Sequence, residues 1–182
     1  MPEPGAGGAA PAVVRRCGGE DWREVRRLYI RLALGLPVVV DVDLNEVLTT
    51  PDDQWRHFVH EGTVDPDQAL FVAEVAARCV GMGHVRRQGR RARLAMLYVD
   101  ADRRRGGIGG ALVAAQERWA LAAGIADLVC HIPDVSAAAG LAHASGWRRT
   151  DGVFVTRHGL EERKWVKDQR TAPVDPGGRP GG

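Results

Sequence analysis

The segment from Val99 to Gln116, VDADRRRGGIGGALVAAQ, sets three consecutive arginines against Gly106, Gly107, Gly109 and Gly110. Before it runs an extended apolar stretch, RLAMLYV, and after it an alanine-rich one with helical spacing. Glycine has no Cβ and enters positive φ without penalty, so this run predicts a tight strand-to-helix turn. The first N–H groups of a helix lack intrahelical partners and sit at the positive end of the aligned peptide dipoles. A glycine-rich turn feeding such an end is a cradle for an anion, and Arg104 and Arg105 add charge that persists at any physiological pH.

Spacing narrows the choice of phosphate ligand. A Walker A loop requires Lys and then Ser or Thr after its last glycine, but Ala111 and Leu112 follow Gly110. A dinucleotide fingerprint counted from Gly107 and Gly109 needs a third glycine where Leu112 stands, and no βαβ unit precedes it. What remains is Arg-x-x-Gly-x-Gly, met by Arg104, Gly107 and Gly109.

The flanking periodicities give an element order. Ala12 to Cys17 reads as a strand, and EDWREVRRLYIRLALG as a helix carrying Trp22, Val25 and Leu28. LPVVVDVDLNEVLTT reads as a loop whose Val38 to Leu44 portion could be extended. Thr50 and Pro51 then read as the start of a second helix that Gly62 ends. ALFVAEV, CVGMGHVRR and ARLAMLYV form an antiparallel meander with QGRR as a turn. After the cradle come a helix from Gly110 to Gly124, a strand IADLVCHI and a helix N-capped by Asp134 or Ser136 and stopped by Gly146. WRRTDGVFVTRH and EERKWVK close the sheet, with Asp151-Gly152 either a hairpin turn or an interruption in one long strand. This is an α/β (α+β) pattern: a mixed, mostly antiparallel sheet of about six to seven strands with helices on both faces.

At 182 residues one domain is expected, and the Pro- and Gly-rich ends, residues 1–11 and 168–182, read as disordered tails around a domain spanning 12–167. A net charge of +2 does not mark a nucleic-acid binder, and the arginines of VRRQGRRAR flank a hairpin with no interleaved aromatic. Cys17, Cys79 and Cys130 lack metal-site or disulfide-framework spacing, which suits a reducing cytoplasm. No apolar run is long enough to span a membrane and no signal-peptide pattern opens the chain.

The cradle motif, together with this element order over about Val13 to Lys167 and the ASGW at Ala144 to Trp147, resembles the GNAT superfamily of acyl-CoA N-acyltransferases. The resemblance implies acetyl-CoA as co-substrate, direct transfer to a primary amine of a small molecule, and a homodimer as an open option. It implies that the strand tip Leu97, Tyr98 and Val99 meets the pantetheine arm, with Leu128 to Ile132 as its splayed neighbour. The pyrophosphate would lie on Arg104, Arg105, Gly106, Gly107, Ile108, Gly109 and Gly110, and the N–H of Tyr98 or Val99 would polarise the thioester carbonyl. Two alternatives fit the same fold: a non-catalytic acyl-CoA-binding regulatory module, and a protein or peptide N-acetyltransferase.

Side chains for proton transfer are less obvious. An amine of pKa near 10.4 is neutral at pH 7 at a cost of roughly 4.6 kcal/mol, so a base or water chain is expected. The family's usual glutamate, tyrosine and asparagine positions fall on Ala95, Ala142 and Val135. The substitutes are His131 at the wedge strand and His143 beside the missing tyrosine, each also readable as an ordinary packing or surface residue. Glu74 and His84 on the central strands are further candidates, and Asp41, Asp43 and Glu46 in the interhelical segment are candidates for attracting a cationic amine. His57 and His60 read as a helix surface, and no metal is expected.

Overall fold

The computed structural model describes residues 11–35, 44–133, 138–156 and 161–171. Seven strands form one sheet: β1 (Val13–Arg16), β2 (Gln68–Val75), β3 (Arg78–Gln88), β4 (Arg91–Val99), β5 (Asp127–Pro133), β6 (Arg148–Val155) and β7 (Glu161–Asp168). Their order is β1-β2-β3-β4-β5-β7-β6, and every neighbouring pair is antiparallel except the parallel pair β4 and β5. Among the described residues five helices cover it: α1 (Trp22–Gly35), α2 (Leu44–Thr49), α3 (Asp52–Val64), α4 (Ile108–Ala122) and α5 (Ala138–Ala144). Among the described residues no helix is long and apolar enough to cross a membrane.

Alternation along the strands makes two cores. Leu70, Val72, Met82 and Tyr98 turn toward α1 and α3, where Trp22, Val25, Leu28, Trp55 and Val59 recur at helical spacing. Phe71, Val85, Leu128 and Trp165 turn the other way, against Ile108, Leu112 and Ala115 of α4 and Ala142 of α5. Close approach explains Gly83: a Cβ there would lie 2.3 Å from the Nε2 of Gln116, the buried amide that α4 lays across β3. The ends of α4 and α5 are the expected glycines, Gly124 and Gly146, at φ 74° and 78°.

Several elements differ from the sequence reading. Leu44–Thr49 is helical rather than loop, because Val47 finds a place in the α1–α3 core. Thr50 does not cap α3; its hydroxyl donates to the carbonyl of Glu46 at the end of α2, and Pro51 takes the N-cap position. Gly62 does not end α3 but lies within it, where a Cβ would come within 2.4 Å of Leu70. Asp151-Gly152 is not a hairpin turn but, as the other reading had it, an interruption within one strand: β6 runs through it, and its pairing with β7 is irregular between Arg149 and Val153. The helix after the cradle begins at Ile108, two residues before Gly110. At the C-terminal side β7 reaches Asp168, a 3-10 turn follows over Gln169–Thr171, and Arg170 pairs with Asp127 and Asp168. The expected tail residues 1–10 and 172–182, the extended portion before Leu44, and the caps at Asp134 and Ser136 lie outside the described residues.

Candidate active site

The β4–β5 pairing is short. Ala92, Arg93 and Leu94 face Leu128, Val129 and Cys130, and no register follows. Just there β4 carries an irregularity against β3: His84 pairs with Met96 and Val85 with Leu94, so Ala95 is the extra residue. A bulge bends its strand and sharpens its twist. Beyond it, Met96 to Val99 stay on β3 while His131 to Pro133 stay on β7, and the two parallel strands diverge into a fork. The splayed part of β5 is therefore His131 to Pro133, since Leu128 to Cys130 remain paired.

Main-chain direction inside the fork follows from alternation. The N–H of Asp100 donates to the carbonyl of Val80 at 2.8 Å, which turns Asp100, and two residues back Tyr98, toward β3. Leu97 and Val99 thus present their N–H groups to the open side. Of the two donors considered for a thioester carbonyl, Val99 faces the fork, and the main chain of Tyr98 belongs to the β3 ladder. The Tyr98 ring is buried on the α1 side, where burial and then the Asp100 carboxylate raise its phenol above the usual value.

At the fork's mouth the chain makes the cradle. Gly107 is the N-cap of α4 at φ 80° and ψ −8°, and among the described residues no side chain caps the helix. The first intrahelical bond runs from the N–H of Ala111 to the carbonyl of Gly107 at 3.0 Å. The N–H groups of Ile108, Gly109 and Gly110 consequently have no helical acceptor. A Cβ at Gly107 or Gly110 would meet no atom within 4 Å, so the space before these donors is open. Gly109 is glycine for another reason, because a Cβ would lie 3.1 Å from Leu141 of α5. Ile108 is buried and anchors the turn. Arg105 takes a left-handed φ of 69°, unfavourable for a side-chain-bearing residue and a feature of anion-binding nests. Arg104 folds back: its Nε donates to the carbonyl of Val99 at 3.0 Å and its guanidinium lies 5.9 Å from the Tyr98 ring centre.

Sequence reading missed what fixes this turn. Asp100, 2% exposed, is held by Arg31 at 2.8 Å and Arg27 at 3.6 Å, both from α1. The cradle is thereby tied to the opposite layer. Trp147 supplies a second tie, donating its indole N–H to Glu117 of α4 at 2.8 Å while its own N–H closes the end of α5 on Ala142. The ASGW motif was the visible signal for that tie; nothing local marks Arg27 or Arg31.

Among the described residues, groups able to move protons are sparse in the fork. Ala95 is exposed at the bulge and Ala142 is buried in the core, so neither expected position offers an acid or a base. His131 is half-buried on the first splayed residue of β5, stacked on Phe154 at 5.4 Å, and its buried Nδ1 has no hydrogen-bond partner. Burial, then Arg93 and Lys164, lower its pKa, so the ring is neutral at pH 7. His143 is exposed at the end of α5. His84 is buried, bonded through Nε2 to Gln68 at 2.9 Å, and burial pushes it down to about 4. Glu74 is taken up by Arg15, which also grips Asp21, on the β1 side of the sheet and away from the fork. The oxygens of Asp21 and Glu74 lie within 4.8 Å of the Cys79 sulfur, but both acids are already paired with the Arg15 guanidinium. His57 and His60 are exposed on α3, with His57 3.8 Å from Glu61, and Glu46 is exposed on α2. Asp41, Asp43 and Val135 lie outside the described residues.

The fold recurs in known proteins. The acetyltransferase of the GNAT family from Streptococcus pneumoniae superposes with a TM-score of 0.73 at 16% identity, covering 87% of this chain and 99% of that one. Ribosomal-protein-alanine N-acetyltransferase from Brucella melitensis gives 0.72 at 20% identity over 86% and 99%. The yncA protein of Salmonella typhimurium, with its cofactor acetyl-CoA, gives 0.71 at 17% identity over 91% and 99%. No curated protein sequence matches. The model of the Acetyltransferase (GNAT) family matches residues 24–147, from the first turn of α1 to the tryptophan that ties α5 to α4. With more than half of the sequence inside that match, this chain belongs to the GNAT family of acetyltransferases.

Proposed function

We propose that the chain transfers the acetyl group of acetyl-CoA to a primary amine of a small molecule by direct attack within a ternary complex. Acetyl-CoA is the co-substrate, and it supplies an acyl group already activated as a thioester. The observation that carries the reading is the continuity of one open edge. The main chain of Leu97 and Val99, unpaired toward β5, leads to the uncapped amides of Ile108, Gly109 and Gly110. A pantetheine arm needs main-chain partners along its length, and a diphosphate needs converging donors without Cβ atoms in front; the edge offers both in sequence.

The residues divide the work accordingly. Gly107 to Gly110 receive the diphosphate, with Arg105 contributing charge, while Arg104 fixes the carbonyl of Val99 and so the end of β4. The N–H of Val99 polarises the carbonyl under attack, as a donor aimed at a developing oxyanion does. His131, neutral and next to the vertex of the fork, takes the proton that the amine loses, directly or through a water. His143, exposed and following a buried alanine, is given no role.

The experiment is thiol release from acetyl-CoA across a panel of amines, with products weighed by mass spectrometry. Amine-dependent release with one acetyl group gained is the expected result, and His131→Ala should lower kcat by about a hundredfold while leaving acetyl-CoA affinity in place. Tight acetyl-CoA binding with no release for any amine would turn the reading toward a binding module.

A further inference from the structure

The floor of the fork, on the face away from α4 and α5, gathers Arg86, Arg93 and Lys164 beside the neutral His131, with one buried acid, Glu162, on the same face of β7. The β3–β4 register sets Arg86 directly opposite Arg93, and the β5–β7 register sets His131 opposite Lys164. Their sequence neighbours Val85, Leu94, Cys130 and Trp165 all turn into the α4 core, so alternation puts these four on the other face. Like charges directly across a ladder weaken it. Yet the side chains of Arg86, Arg93 and Lys164 make no hydrogen bond or ion pair among the described residues, and the buried Nε of Arg93 and Nδ1 of His131 are both without a partner. The buried acid on this stretch of β7, Glu162, has contacts of its own. A buried donor left unsatisfied is expensive, and the orphaned Nε of Arg93, beside a second unpartnered nitrogen on His131 and unpaired cations, points to a missing acceptor.

We infer that the acceptor amine itself carries an anionic oxygen group, a carboxylate or a phosphonate, which Arg93 and Lys164 receive with Nδ1–H of His131 beside them. This rests on the transferase reading above. The anion satisfies the orphaned Nε and separates the charges of Arg86 and Arg93. By accepting from Nδ1–H it also fixes the imidazole tautomer, leaving Nε2 unprotonated for the amine's proton. Phe154, stacked on the same ring, gives the acceptor one apolar wall.

The test compares product analogues that differ only in charge. N-acetylglycine, N-acetylaminomethylphosphonate and the uncharged N-acetylglycinamide are titrated calorimetrically into the wild-type protein, with and without CoA, and into R93Q and K164Q. The wild type should bind one or both anions about tenfold or more tighter than the amide, a charge-assisted pair being worth that much. In both variants the ratio should fall to near unity, with thermal stability of R93Q kept or raised because a like-charge pair has gone. Equal wild-type affinities for the three, or a ratio that survives in both variants, overturns the inference. The transferase reading fails separately: a protein that distinguishes anion from amide but binds no CoA keeps the anion site and loses the transfer, whereas one that binds CoA without the distinction loses only the anion site.

Discussion

Placing a tryptophan at Gly107 separates a cradle from a mere turn. The backbone there is left-handed at φ 80°, so any side chain costs stability, about 1–2 kcal/mol. For a chain of this size that lowers Tm by about 2–8 °C. Gly89, in the β3–β4 hairpin, is a matched control, with φ 61° and likewise no atom within 4 Å of a Cβ. Gly107→Trp and Gly89→Trp should therefore lose comparable stability and both remain folded. They should part in binding. The indole of Gly107→Trp fills the space before Ile108, Gly109 and Gly110, and losing two charge-assisted bonds from a diphosphate costs about 3–5 kcal/mol. Acetyl-CoA affinity, measured by isothermal titration calorimetry, should drop at least about a hundredfold in Gly107→Trp and stay near wild type in Gly89→Trp. A folded Gly107→Trp protein with undiminished affinity, or equal losses in the two variants, would refute the assignment of the diphosphate to this helix end.

Two further expectations concern the frame around the site. His84, held at about 4 against an ordinary 6.5, binds no proton in the folded chain between those values while the unfolded chain does. Its contribution is intact above pH 6.5 and is lost as pH falls toward 4, so between pH 6.5 and 5 the wild type should lose about 2 kcal/mol more than His84→Met in denaturant unfolding. Parallel pH profiles for the two would show that another group carries the dependence. Asp100→Asn strips the counter-charge from Arg27 and Arg31. It should reduce stability by about 2 kcal/mol and acetyl-CoA affinity about tenfold, checked by thermal unfolding and calorimetry; an unchanged affinity would mean that α1 does not hold the cradle.

The parts of this molecule written in local pattern were readable in its sequence. The alternation of β2 to β4, the helical spacing of Trp22, Val25 and Leu28, and the glycines before Ile108 each express one element's own geometry, and the family order follows from joining them. What escaped is what depends on another element. Leu44–Thr49 is helical because Val47 reaches a core that α1 and α3 build, whereas the β-branched run before it suggests extended chain. Gly62 looks like a helix stop until Leu70 is seen against it. The bulge at Ala95 shows nothing in RLAMLYV, yet it opens the fork and decides that Val99, not Tyr98, offers its N–H there. The pairing of Asp100 with α1, and the gathering of Arg86, Arg93 and Lys164 on one face, join residues from separate elements that no spacing relates.

The central claim is that the uncapped end of α4 holds the diphosphate of acetyl-CoA, and amide NMR tests it most directly. On titrating acetyl-CoA into ¹⁵N-labelled protein, the largest downfield amide shifts should fall on Ile108, Gly109 and Gly110, with Leu97 and Val99 following along the fork. Saturable binding whose shifts leave those amides unmoved and cluster elsewhere would contradict the account.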